Sequence, residues 1–304
     1  MDLRQLAALV AVADHGTFSA AADALHTVQS NVSSHVANLE KELGAPLVDR
    51  AAGRLTAEGT AVVERARRVQ AELAALVADV GALRSDVRGR VHLGVLGTTG
   101  RWLVPSLVTR LAEAHPGIAV IVAEGTSATL EPQLVSGTLD LALLTLPLPS
   151  SELVAEPLFD EELLLIAPTS SPLAGRERIP VAELDGAELL LPAPGTNFRR
   201  ELDQVAAEVG ITLRPKAELD GVRLLASLCF EGWACGIVPA SAVPSWLKGP
   251  WRAVGVDGLP LRQIGMATRA RGLASAPAKA VASVLTEAIA EGAVKEPGIH
   301  LVWR

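Results

Sequence analysis

Apolar residues recur at helical spacing from the start of the chain. Leu3, Leu6, Leu9, Val10 and Ala13 share one face, and His15-Gly16 ends that predicted helix. Thr17 stands as N-cap of a second helix, whose Phe18, Ala21, Ala22 and Leu25 point inward. Thr27 is read as N-cap of a third helix that buries Val32, Val36 and Leu39. Two short helices joined by a tight turn, with small alanines at the crossing, form a helix-turn-helix. The third helix then offers Gln29, Ser30, Asn31, Ser33 and Ser34 near its N-terminal end, where a recognition helix meets base edges. Gln and Asn pair bidentately with adenine, and Ser donates or accepts. The segment from Leu43 to Thr56 turns and extends, which suits a small β-wing with Arg50 and Arg54 as phosphate contacts.

Residues 59–86 read as one long helix. Val62, Ala66, Val69, Leu73, Leu76, Val80 and Leu83 alternate steps of four and three, the repeat of a coiled-coil seam between two copies. The competing reading, a helix packed on its own domain, fits a looser stripe. Arg65, Arg67 and Arg68 flank the seam as a solvated face. Arg88-Gly89-Arg90 reads as the end of the helix and a hinge.

Beyond Arg90 strand-like runs alternate with amphipathic helices, the pattern of an α/β domain. Residues 90–97 form a strand and turn, Trp102 to His115 a helix, Ile118 to Ala123 a strand, and Leu130 to Ser136 a helix. Asp140 to Thr145 is a third strand. A similar series runs from Leu189 to about Ala267, and a last helix spans Ala278 to Ala290. Ligands in open α/β sheets sit at the carboxyl ends of strands. Two segments there precede helices: Thr98-Thr99-Gly100, and Gly195-Thr196-Asn197 ahead of a helix over Phe198 to Val209. Helix N-termini with hydroxyl side chains favour small anions. Thr145 and Val222 line the same cleft in this reading, and the alternative for Thr98 and Thr196 is that each caps its helix.

Charge adds a constraint. The 304-residue chain has a net charge of −7, so DNA contact has to come from local placement. Residues 1–58 hold four Lys or Arg against seven Asp or Glu, and the recognition helix lacks a fixed cation after Ser33. Two cysteines argue against a disulfide scaffold, and the apolar runs are too short to span a bilayer. The N-terminus lacks a signal-peptide pattern, so a soluble, cytoplasmic protein with no membrane partner is expected.

The ordered series Phe18-Ser19-Ala20-Ala21-Ala22-Asp23-Ala24-Leu25-His26-Thr27-Val28-Gln29-Ser30-Asn31-Val32-Ser33, then Leu39 to Leu47, then Leu55-Thr56-Ala57-Glu58-Gly59, resembles the LysR-type transcriptional regulators over essentially the whole chain. The resemblance implies a winged helix-turn-helix over 1–58, a dimerising linker helix over 59–89, and an effector-binding domain over 90–304 like a type 2 periplasmic binding protein. Its first lobe would span about 90–167 and 268–304 and its second about 168–267, with crossings near Ala167-Pro168 and Met266-Ala267. The implied partners are double-stranded promoter DNA, a second copy as homodimer or homotetramer, a small-molecule effector, and RNA polymerase as a further candidate. No other cofactor and no metal are expected. Family recognition helices usually carry Arg or Lys after the matching Ser, whereas Ser34, His35, Val36, Ala37 and Asn38 follow Ser33 here. The wing interval from Arg50 to Leu55 is also about two residues shorter. These departures keep open a ligand-binding or interaction module with weak or lost DNA binding.

Two further readings are weaker. Residues Val95 to Gly100 precede a helix and Glu124 ends the next strand, a partial dinucleotide fingerprint with Val95 in place of its first glycine. No catalytic constellation accompanies it, and the six histidines lack metal-ligand spacing, so an NAD(P)-binding enzyme is disfavoured. Cys229 and Cys235 are read as inert thiols; peroxide sensors of this family carry a reactive pair near the position of Asn197, where this chain has no cysteine. Trp102, Trp233, Trp246 and Trp251 are read as core or lobe-surface residues rather than base-stacking platforms.

Overall fold

The computed structural model describes residues 1–83 and 87–302. Three helices open the chain: α1 (Leu3–His15), α2 (Phe18–Ala24) and α3 (Gln29–Leu43). Asp2 caps α1 through a capping box with Gln5, and Thr17 caps α2 by accepting from the Ala20 amide. A two-stranded wing follows, β1 (Val48–Asp49) antiparallel to β2 (Arg54–Leu55). Its turn is held by Asp49 Oδ1, which accepts from the amides of Ala51 and Ala52. Leu6, Leu9, Ala21, Ala22, Val32, Val36, Leu39 and Leu47 form the core of this unit.

Helix α4 (Ala57–Ala82) is capped by Thr56, whose Oγ1 accepts from Gly59 N and donates to Pro46 O. The boundary expected at residue 58 therefore falls inside the first turn of α4. The expected helix over 59–86 ends at Ala82 in the described chain; residues 84–86 of that expectation lie outside the described residues. The seam needs a second correction. Ala66 is buried in the N-terminal core and Val62 packs against it, so the first two seam positions are spent on the chain's own domain. Val69, Leu73, Leu76, Val80 and Leu83 are exposed.

The α/β half runs β3 (Gly89–Leu96), α5 (Gly97–Ala114), β4 (Ile118–Gly125), α6 (Ser127–Ser136), β5 (Leu141–Thr145), β6 (Leu153–Glu161), β7 (Leu163–Pro168), β8 (Arg178–Pro180) and β9 (Glu188–Pro192). It continues through α7 (Asn197–Val209), β10 (Arg214–Leu219), α8 (Val222–Phe230), β11 (Cys235–Pro239), β12 (Trp251–Asp257), β13 (Arg262–Arg269), α9 (Ala276–Ala293) and β14 (Ile299–Leu301). These strands make two six-stranded sheets, ordered β14-β6-β13-β5-β3-β4 and β10-β9-β11-β7-β12-β8. Each sheet mixes parallel strands with antiparallel ones, because the chain enters and leaves each lobe in opposite senses.

The lobe crossings differ from those expected. Glu162 alone separates β6 of the first sheet from β7 of the second, and residues 258–261 carry the return from β12 to β13. The run Leu163–Pro168, all but its last residue assigned to the first lobe from sequence, is wholly buried and pairs with β11 and β12 in the second. A continuous apolar run marks a central strand without saying which sheet receives it. The break that locates the crossing is Glu161-Glu162. α9 packs on the first lobe through Val281, Val284, Leu285 and Ile289.

Candidate functional site

Two regions gather the polar residues of interest. The first is the outer face of α3. Val32, Val36 and Leu39 are buried, which leaves Gln29, Ser30, Asn31 and Ser34 exposed and Ser33 half-buried. Thr27 does not cap this helix; the N-cap is Val28, without a side-chain cap, and Thr27 Oγ1 accepts from Asn31 Nδ2 at 3.0 Å. The displacement follows from His26, which takes φ 51° and carries the turn one residue further than the cap rule expects. Gln29, Ser33, Arg50 and Arg54 line one groove of about 740 Å³ between the helices and the wing. Arg50 is partly occupied within the chain: Nη2 lies 3.4 Å from Glu40 Oε2, and the guanidinium sits 5.7 Å from the Phe18 ring centroid. Glu40 also accepts from the amides of Leu47 and Val48, so the recognition helix fixes the root of the wing.

The second region is the cleft between the lobes. Thr98, Thr99 and Gly100 form the buried first turn of α5, not a loop ahead of it. The expected start at Trp102 is late because Gly97 to Gly100 has weak helix propensity that packing overrides. Thr99 Oγ1 is buried without a hydrogen-bond partner among the described residues. Thr145 ends β5; its amide donates to Ser127 Oγ and its hydroxyl accepts from Arg262 Nη2 at 3.1 Å. Gly195, Thr196 and Asn197 stand at the start of α7. Thr196 accepts from Arg199 N and donates to Ala193 O, so its hydroxyl is committed to capping. Val222, at the start of α8, is half-buried and packs partly against the core of the second lobe.

The charges of the cleft escaped the sequence reading. Arg262, at the start of β13, touches Thr145 and lies 5.6 Å from the ring centroid of Phe198 on α7. Its Nη1 is 3.3 Å from Glu161 Oε1, an ion-pair contact in which Glu161 is fully buried. Glu161 Oε2 accepts from Ser241 N, and Ser241 O accepts from Arg101 Nη2 of α5. One polar chain thus runs from α5 through the crossing strand to the wall of the second lobe. Burial holds Arg101 below the usual guanidinium range; nearby Glu296 works against that shift and Arg223 adds to it. Arg223 on α8 is ion-paired with Glu124 on β4. The pair sits over the start of α5, where a Cβ on Gly97 would be 2.6 Å from Glu124 Oε1 and 3.0 Å from Arg223 Cδ. The available sequence signal was polar interruption: Glu161-Glu162 and Arg262-Gln263 break otherwise apolar strands.

The solvated-face reading also fails for Arg67 and Arg68, which pair with Asp14 and Glu152. Cys229 is buried and Cys235 half-buried, and Cys235 Sγ contacts Ser171 Oγ at 3.6 Å. No group of three or more metal-ligating side chains occurs among the described residues. None of their helices is long and apolar enough to cross a membrane.

Comparison with known proteins covers both halves of the chain. Residues 3–60 match the family described as "Bacterial regulatory helix-turn-helix protein, lysR family", and residues 84–290 match "LysR substrate binding domain". The DNA-binding transcriptional dual regulator OxyR of Escherichia coli is 31% identical over 292 residues, covering 89% of this chain and 96% of the relative. A probable hydrogen peroxide-inducible genes activator of Streptomyces viridosporus is 32% identical and covers 94% of both chains. Among solved structures, a full-length OxyR variant from Pseudomonas aeruginosa superimposes with a TM-score of 0.79 at 25% identity over 97% of both chains. Full-length CbnR complexed with its target DNA gives 0.67 at 26% identity, covering 96% of this chain and all of that one.

Proposed function

This chain belongs to the LysR family of DNA-binding transcriptional regulators and carries that family's effector-binding domain, and from that premise we propose how it works. It reads promoter DNA as a homo-oligomer through α3 and the wing, and a small anionic effector held between the lobes sets its activity. It acts by binding rather than catalysis, in the cytoplasm, with no cofactor beyond the effector. The observation that carries this reading is the polar outer face of α3, where Gln29, Ser30, Asn31 and Ser34 stand clear of the buried Val32, Val36 and Leu39. Such a face offers hydrogen bonds to base edges without a core role. Support for an anionic effector comes from Arg262, which donates to Thr145 and lies over Phe198 in the first turn of α7, so that a guanidinium stands beside a helix N-terminus.

The peroxide regulators named above supply a more specific candidate signal, but α7 contains no cysteine. Effector sensing here is therefore assigned to reversible binding and not to thiol oxidation. The exposed stripe Val69, Leu73, Leu76, Val80 and Leu83 is assigned to a second copy.

Fluorescence anisotropy tests the reading, with the DNA upstream of the protein's own gene compared against scrambled DNA across a salt series. Preference for the upstream DNA that survives moderate salt is expected. Equal binding of both DNAs at every salt, with and without cell extract metabolites, would favour the module without DNA recognition. Arg50 paired to Glu40 and the net −3 charge of residues 1–58 favour that second reading.

A further inference from the structure

Helix α4 has a second face, opposite in character to its apolar stripe. Arg68, Glu72 and Asp79 follow one another along it and meet the first lobe. Arg68 Nη2 is 3.0 Å from Glu152 Oε2, and a Cβ on Gly137, the C-cap of α6, would be 3.5 Å from Arg68 Cα. A cation beside a helix C-terminus is favourably placed. Asp79 Oδ1 accepts from Ala276 N at 2.7 Å, so α4 supplies an anionic acceptor to the first turn of α9. Between them Glu72 Oε1 approaches Gly272, where φ is +101° and a Cβ would lie 2.8 Å away. That left-handed conformation favours glycine. Loop 270–275 therefore lies against the linker helix at Glu72, and Ala276, the residue that follows it, is hydrogen-bonded to Asp79.

This loop presents Leu273, which is 79% exposed. Leu273 forms the rim of a groove of about 620 Å³ whose walls include Val69, Leu73, Leu76, Val80 and Leu83. A leucine this exposed adds nothing to the core of its own lobe, yet it extends an apolar surface already larger than scattered single residues. The occupant is a second copy of this chain. The groove's stripe repeats in steps of four and three, which fits a helix of the same repeat, and α4 itself is such a helix.

We propose that Leu273 is a subunit contact, so that the surface joining two copies is part linker helix and part effector-binding lobe. This rests on the homo-oligomer reading given above. It also gives the cleft a path to that surface: β13 begins at Arg262 in the cleft and ends at Arg269, directly before that loop. A shift of β13 at the cleft reaches Leu273 without passing through the DNA-binding unit.

Sedimentation analysis of the full chain over a nanomolar-to-micromolar range tests the proposal with three variants. Leu273→Asp is expected to raise the subunit dissociation constant at least tenfold, with an unchanged circular dichroism spectrum. Leu76→Asp, in the α4 stripe, should dissociate the protein outright, and Val294→Asp, equally exposed but remote from the groove, should match wild type. If Leu76→Asp dissociates the protein while Leu273→Asp behaves as Val294→Asp, the α4 seam stands and the role of Leu273 is rejected. If Leu76→Asp leaves the dissociation constant unchanged, the seam reading itself falls and takes this inference with it.

Discussion

Arg223 of the second lobe is ion-paired with Glu124 of the first, over the start of α5. The pair holds the mouth of the cleft with opposite charges, one from each wall. Its side chains are 57% and 52% exposed, so solvent screens it heavily. Exposed pairs of this kind contribute about 0.2–1 kcal/mol. Arg223→Gln should leave the melting temperature nearly unchanged but speed hydrogen exchange of the first-turn amides of α5. High salt should reproduce the change in the unmodified protein. Unchanged exchange under both conditions would show that the pair does not hold the mouth shut.

Glu161 and Arg262 differ from that pair in burial, with side-chain exposures of 0% and 12%. Breaking a buried pair from one side leaves a charge without compensation, at a cost of about 3–5 kcal/mol. Arg262→Met should therefore lower the melting temperature by several degrees, and Glu161→Gln should do so by less. The double variant should recover part of the loss, and the thermal double-mutant cycle measures the coupling. Additive losses would mean that the two side chains do not interact.

Replacing Gln29 and Ser33 together by Ala should lower affinity for upstream DNA by about one to two orders of magnitude, since a good base contact is worth roughly 1–3 kcal/mol. Mass by light scattering should not change, because neither side chain belongs to the core of the unit. The salt dependence of the unmodified protein should be shallow, since the slope tracks the phosphates neutralised and few cations line this face. An affinity equal to that of the parent would assign base reading elsewhere.

Burial, with a smaller contribution from Cys235, pushes the Cys229 thiol up from its ordinary 9.0 to about 12. At pH 8 about one Cys229 in ten thousand is thiolate, so peroxide should not oxidise it at a useful rate. The raised value favours folding with the thiol protonated. That contribution is complete below pH 9 and is lost as pH rises toward about 12. Peroxide at neutral pH should leave both DNA affinity and the free thiol content unchanged, and iodoacetamide should label Cys235 ahead of Cys229. A disulfide seen by mass spectrometry after peroxide would overturn the assignment to reversible binding.

The N-terminal unit was legible because its signals are local. Thr17 caps its helix as its side chain predicts, and the spacing of Val32, Val36 and Leu39 fixes which face of α3 is polar. The cleft was less legible because its charges meet only through the sheet topology. Thr145 and Arg262 are far apart in sequence and adjacent only because β5 pairs with β13. Val62 and Ala66 fit the seam repeat as well as Leu73 does. Periodicity locates an apolar face, while the choice of own domain or partner depends on what lies opposite. Thr196 shows the converse: its capping role was one of two readings, and the two hydrogen bonds of its hydroxyl decide it.

At its DNA-side end, α4 is tied down by Val63 and Ala66 in the core and by Arg67 on Asp14. At the other end Asp79 binds α9. The helix that carries these anchors is a stiff rod of 26 residues, about 39 Å long at roughly 1.5 Å per residue. A rod of that length works as a pointer. A tilt of about 5° at the effector lobe swings its far end by roughly 3.4 Å, the rise of a single base step. In the proposed pair of subunits, rods turned by that angle would measure out a different length of promoter.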